Sequence, residues 1–140
     1  MVIRAYYRKD LALAQLETAL RLYFEGGDRG SVITLAGAAD EIFGKLLAAS
    51  GRDSSLQSLI SAVTAIQEKL FGEANEPKYI ARRANAARDS LKHIGDTDLV
   101  KFDLEVEARD MLNRAIDNYW SLEQNLTPSM ERLQRELQSA

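Results

Sequence analysis

A chain of 140 residues and 15.6 kDa is the size of one domain, long enough to bury roughly two-thirds of the surface that its unfolded form exposes. Its 46% hydrophobic and 28% charged residues are ordinary for a globular protein, and with no Cys it has neither a disulfide framework, nor a thiolate metal site, nor a cysteine nucleophile. A net charge of −3 excludes a globally basic nucleic-acid coat, no apolar run approaches the roughly 18 residues of a membrane helix, and Met1-Val2-Ile3-Arg4 lacks the apolar stretch of a secretory signal. One domain over residues 1–140, cytoplasmic and away from membranes, is the expectation.

Glycine and proline punctuation divides the chain into helices. Leu13, Leu16, Leu20 and Tyr23 recur at the spacing of one helix face, and Gly26-Gly27 stops that helix. Asp28 or Ser31 can cap the next, where Val32, Leu35, Ala36, Ala39, Ile42, Phe43, Leu46 and Leu47 form a broad apolar stripe ending near Ser50-Gly51. Ser54 or Ser55 caps a third helix with Leu59, Ala62, Val63, Ile66 and Leu70 on its inner side, interrupted by Gly72 to Pro77. A fourth helix is predicted from about Lys78 to His93, with Ile80, Ala84, Ala87, Leu91 and Ile94 facing inward. Asp103 caps a fifth, whose stripe runs through Leu104, Ala108, Met111, Leu112, Ala115, Tyr119 and Leu122. Thr127-Pro128 opens a short last helix. No alternating strand pattern competes with these periods. The fold class is all-α: an up-down bundle of four to five antiparallel helices plus a short C-terminal helix.

Charge is unevenly spread. Residues 78–93 carry 5 basic and 1 acidic side chains, residues 1–77 carry 8 and 10, and residues 94–140 carry 5 and 10. This one basic segment also holds the single His of the chain. On an ideal helix, Lys78, Arg82, Asn85, Arg88, Asp89, Lys92 and His93 share the face turned away from the apolar residues, with Arg88 and His93 about 7.5 Å apart along the axis. An Arg offers a fork of donors to phosphate oxygens, and a His exchanges protons near neutral pH. RNA cleavage needs little more: a base for the 2′-hydroxyl and a cation for the charge that builds on phosphorus oxygens, with no metal or other cofactor. The same face also reads as a solvated edge whose cations complement the helix dipole.

Arg88-Asp89-Ser90-Leu91-Lys92-His93 resembles the signature of the HEPN superfamily, an Arg followed by a polar residue and then a His after four to six intervening positions. The likeness in helical layout covers about residues 10–125, and the last helix has no counterpart in it. The resemblance implies an all-α bundle acting as a metal-independent endoribonuclease, with two protomers converging their motifs across a two-fold axis. Transferred to this chain, it makes His93 the general acid/base and Arg88 the phosphate clamp. Asp89 would orient one of the two, while Asn85, Lys92 and Arg82 would contact substrate. The implied partners are a second copy, RNA or a nucleotide, and a cognate antitoxin protein. Alternatives are a catalytically silent HEPN-like module that binds a nucleotide or a protein, and a structural bundle in which the motif is coincidental.

Other candidates are weaker. Glu73/Glu76 and Glu107/Asp110 faintly resemble the paired acidic motifs of Mg²⁺-dependent pyrophosphatases, although the first pair falls in a helix break. Asp40-Glu41 reads first as helix-surface charge, pairing with Lys45 one turn on, and otherwise as a partner for the basic helix; no Glu-x-x-His pair supports a di-iron site. Gly37 and Gly44 within a helix point to close packing. Tyr6, Tyr7 and Trp120 could stack on bases but suit a core or an interface.

Overall fold

The computed structural model describes residues 1–139, and no strand occurs among them. Among the described residues there are seven helices: α1 (Arg8–Phe24), α2 (Arg29–Ala49), α3 (Ser55–Phe71), α4 (Pro77–Ala84), α5 (Ala86–Ser90), α6 (Leu104–Glu123) and α7 (Pro128–Gln138). The all-α bundle expected from the periodicity is present. No helix among the described residues is long and apolar enough to cross a membrane.

The helix starts follow local chemistry. Asp28, Ser54, Asp103 and Thr127 each accept the backbone N–H three residues on, from Ser31, Gln57, Val106 and Met130, satisfying donors that a helix start leaves free. Of the two caps open for α2, Asp28 is used, and for α3 it is Ser54. Gly26, at φ 71°, closes α1 in the left-handed region that a side chain would disfavour.

Polar ties at the two ends of the bundle fix the helix directions. Tyr23 at the end of α1 and Arg29 at the start of α2 both donate to the Glu105 carboxylate at the start of α6. At the far end Lys9 pairs with Glu123, and Arg52 Nη1 donates to the Ser121 carbonyl at 2.7 Å. Helix α1 is therefore antiparallel to α2 and α6, while α2 and α6 share a direction because the chain makes its long excursion through α3–α5 between them. Helix α7 lies along α1, where Thr127 donates to Glu17 and the Arg132 guanidinium sits 3.9 Å above the Phe24 ring centre. Between these helices Leu16, Leu20, Ile33, Phe43, Leu112, Ile116 and Met130 are fully buried, with Phe43 and Tyr119 stacked obliquely at 5.7 Å.

Two expectations change. The inner side assigned to α3 is mostly uncovered: Leu59, Ile66 and Leu70 are exposed, and only Ile60 is buried. The reason is that α3 leaves the bundle and pairs with the eight-residue α4, too short to cover a helix of 17. The predicted single helix from Lys78 to His93 is two pieces that stop at Ser90. Ile80 and Ala87 face inward as expected, but Leu91 and Ile94 are exposed.

The Glu105 tie predicts a pH effect. Hydrogen bonds from Arg29 and then Tyr23 hold its carboxyl below the usual glutamate range. Its stabilisation is present above that range and is lost as pH falls through the depressed pKa. Glu105→Gln should cost no more than about 1 kcal/mol at pH 7, since the pair is exposed. The difference from wild type should close below about pH 4, as read by urea unfolding at both pH values.

Candidate functional site

The residues of the basic segment meet the bundle at a buried polar seam. Asp40 sits on the inner face of α2, only 4% exposed, in line with the apolar stripe. It accepts from Arg114 Nη2 at 2.8 Å and from Asn118 Nδ2 at 3.0 Å, both on α6. Asn118 in turn accepts the first N–H of α3, from Ser55, at 2.7 Å. Burial pushes the Asp40 carboxyl above its usual range, while the positive charges of Arg114 and Arg88 oppose that shift.

Arg114 also explains the break between α4 and α5. Its Nη1 donates to the Ala84 carbonyl at 3.0 Å and its Nη2 to Asn85 Oδ1 at 2.9 Å. In an unbroken helix the Ala84 carbonyl would accept from the Arg88 N–H, a bond that is not made. A side chain inserted into the ladder kinks a helix, and Asn85 at φ −101°, ψ 3° is the hinge.

This kink redirects the residues beyond it, so the helical wheel extended across Asn85 does not hold. Arg88, expected on the outward face, is 9% exposed. Its stem lies on Gly37 of α2 so closely that a Cβ there would come within 2.6 Å of Cδ and 2.7 Å of Cγ. Its Nε and Nη2 reach Asp89 Oδ1 at 3.2 and 3.1 Å. The packing expected of Gly37 and Gly44 is thus present: Gly37 seats Arg88, and Gly44 approaches Ser54 and Asn118. Asn85, half-buried, accepts from Arg114.

Arg88 and Asn85 open on one cleft of about 290 Å³, lined also by Asp40, Glu41, Lys45 and Ser54. Lys45 pairs with Glu41 at 3.1 Å and holds that carboxyl below its usual range, with Arg88 and Lys92 adding to the effect. Glu41 is thus the surface charge paired one turn on that was expected, whereas Asp40 is not at the surface: it is buried, and its contact ion pair is with Arg114.

His93 lies beyond the helix, exposed, its N–H donating to the Asp89 carbonyl at 3.0 Å. It lines a separate hollow of about 310 Å³ with Ser90, Asp96 and Thr97. The axial separation of about 7.5 Å expected for Arg88 and His93 assumed regular helix as far as His93; α5 ends at Ser90, although the Leu91 and His93 N–H groups still donate four residues back, to the Ala87 and Asp89 carbonyls. Lys92 and Arg82 are exposed. Within one chain, then, Arg88 and Asn85 share the cleft and Asp89 pairs with Arg88, whereas His93, Lys92 and Arg82 do not line that cleft, although the charge of Lys92 acts on Glu41 within it.

Arg114 and Asn118, the centre of the seam, were not among the residues singled out from the sequence. Their signal was there: polar side chains four apart beside the Met111–Ala115 stripe of α6, facing a lone Asp in the stripe of α2. Glu73 and Glu76 stay exposed in the α3–α4 connection, whereas Glu107 and Asp110 line a groove on α6. Tyr6 and Tyr7 are exposed, not core, and Trp120 is 48% exposed.

No family model matches the chain, and neither do the curated proteins or the solved structures with which it was compared.

Proposed function

We propose that the chain is a HEPN-like module that cleaves RNA without a metal, using Arg88 and His93 from two copies that meet across a two-fold axis. The observation that carries this reading is a division of labour beyond the kink, between a seated arginine and an exposed histidine. Arg88 is held by Gly37 and Asp89 at the edge of a cleft, a fixed guanidinium suited to phosphate oxygens. Five residues on, His93 is free at the surface. Because the two open on different hollows of one chain, a second copy is what would bring both to one phosphodiester.

In that arrangement one His93 takes the proton of the 2′-hydroxyl, and the oxygen attacks phosphorus. The partner's His93 gives a proton to the departing 5′-oxygen, so a 2′,3′-cyclic phosphate and a 5′-hydroxyl result. Arg88 stabilises the charge on the non-bridging oxygens, and Asp89 fixes its orientation. Asn85 serves this site indirectly, by accepting from Arg114 at the hinge.

Wild type should cleave RNA in the presence of a chelator. His93→Ala and Arg88→Ala should each lower the rate on the order of a hundredfold or more. Gel-resolved cleavage and growth arrest on expression are the readouts. Equal cleavage by wild type and His93→Ala, or none by either, would remove the enzymatic reading.

The low exposure of Arg88 and its pairing with Asp89 favour a second reading, a silent HEPN-like module that binds a nucleotide or an antitoxin-like protein. That module would tolerate His93→Ala in its binding and show no cleavage.

A further inference from the structure

We infer that residues 1–8 of one copy dock into the groove between the α3–α4 hairpin and α6 of a second copy, in a reciprocal exchange. The inference is independent of the proposed chemistry at Arg88 and His93.

The groove consists of two adjoining hollows of about 510 and 380 Å³ that share Leu59, Arg83 and Ala84. One half is apolar, with Val63 and Tyr79. The other is lined by Glu107, Asp110 and Asp117 of α6 together with Arg83 and Arg114, of which Arg114 is already paired with Asp40, so three carboxylates outnumber the cations there. Among the described residues none of these three carboxylates has an ion-pair partner. Burial holds the Glu107 carboxyl above its usual range, and Asp110 and Asp103 add to the shift, so a cation placed there would relieve an existing cost.

The segment has the complementary chemistry. Val2, Ile3, Tyr6 and Tyr7 are 76, 88, 64 and 81% exposed, and no helix or strand forms before Arg8. Arg4 and Arg8 have no ion pair among the described residues. Extended chain separates them by about 13 Å, close to the roughly 15 Å that ten residues of α6 put between Glu107 and Asp117. Tyrosines flanked by arginines are the side chains that most often anchor protein interfaces.

Reach assigns the occupant to a second copy. Lys9 is tied to Glu123, at the far end of α6 and about 120–160° around it from the groove carboxylates. Glu107 is about 24 Å away along the axis alone. The eight residues before Lys9 extend at most about 28 Å. In its own chain the segment would use that length in rounding α6 and have little left to lie in the groove. In an exchange the segment starts from a second copy beside the groove and need not round α6, and the pair closes as a two-fold dimer.

The test uses the full chain in sedimentation velocity and a fluorescent peptide of residues 1–9 in anisotropy titrations. We expect a dimer at micromolar concentration that added salt weakens. Tyr6→Ser with Tyr7→Ser, and separately Asp110→Lys, should each raise the dimer dissociation constant by roughly tenfold or more. The peptide should bind the tyrosine variant and fail to bind Asp110→Lys, while circular dichroism shows both folded. His93→Ala should leave all of this unchanged. A dimer indifferent to both changes places the two-fold elsewhere and overturns the exchange. So does a monomer, whether the peptide fails to bind or the segment is docked in its own chain.

Discussion

Arg114→Ala should be among the most damaging single substitutions in the protein, at about 3–5 kcal/mol. It leaves the Asp40 carboxylate, 4% exposed, with Asn118 as its one side-chain donor, and it strips Ala84 and Asn85 of theirs. Most of that cost comes from the charge left behind. Arg114→Met combined with Asp40→Asn should therefore recover much of the loss, because a buried pair removed together costs far less than one member removed alone. The pH dependence has a definite sign. Asp40 is already raised by burial, and without Arg114 it rises further; a carboxyl raised in the folded state costs stability above its pKa and regains it on protonation. The deficit of Arg114→Ala should shrink as pH is lowered toward 5. Chemical denaturation across pH reads both effects, and a loss below about 1 kcal/mol at pH 7 would show that the seam does not hold α2, α4 and α6 together.

Gly37→Ala should change sign with its surroundings. In wild type the new methyl meets the Arg88 stem at 2.6–2.7 Å, and over-packing of that kind costs about 1–3 kcal/mol. In an Arg88→Ala background the obstructing atoms are gone. There the substitution should stabilise by about 0.5–1 kcal/mol, because Ala is the better residue inside a helix. The double-mutant cycle measures the coupling directly. If the chain has the ribonuclease activity proposed above, the single variant should also cleave RNA more slowly than its loss of stability explains, since Arg88 must leave its seat while His93 is untouched. Equal effects of Gly37→Ala in both backgrounds would mean that the glycine does not position the arginine.

Most of the fold was legible in the sequence because the signals that specify it are local. Helix starts at Asp28, Ser54, Asp103 and Thr127 are set by a side chain three residues from the N–H it caps, and the apolar stripes of α2 and α6 repeat within each helix. The site was legible only as a list of residues. Wheel geometry placed Arg88 outward because the period ran unbroken to His93, and nothing within the segment marks Asn85 as a hinge. The group that bends the helix there, Arg114, is 29 residues away in sequence from Asn85. The apolar side of α3 was likewise read correctly as a stripe and wrongly as an inner face, since a stripe says which residues seek cover and not whether any neighbour provides it.

The sequence by itself determined an all-α chain, the start and end of most helices, and one basic segment carrying the only histidine. These follow from backbone hydrogen bonding and side-chain period, which act within a few residues. Tertiary structure alone decided that Arg88 lies on Gly37, that Asp40 is neutralised from α6, and that α3 keeps an uncovered face. Those outcomes depend on which distant segments share a buried surface, where an unpaired charge or a single methyl is enough to redirect a side chain.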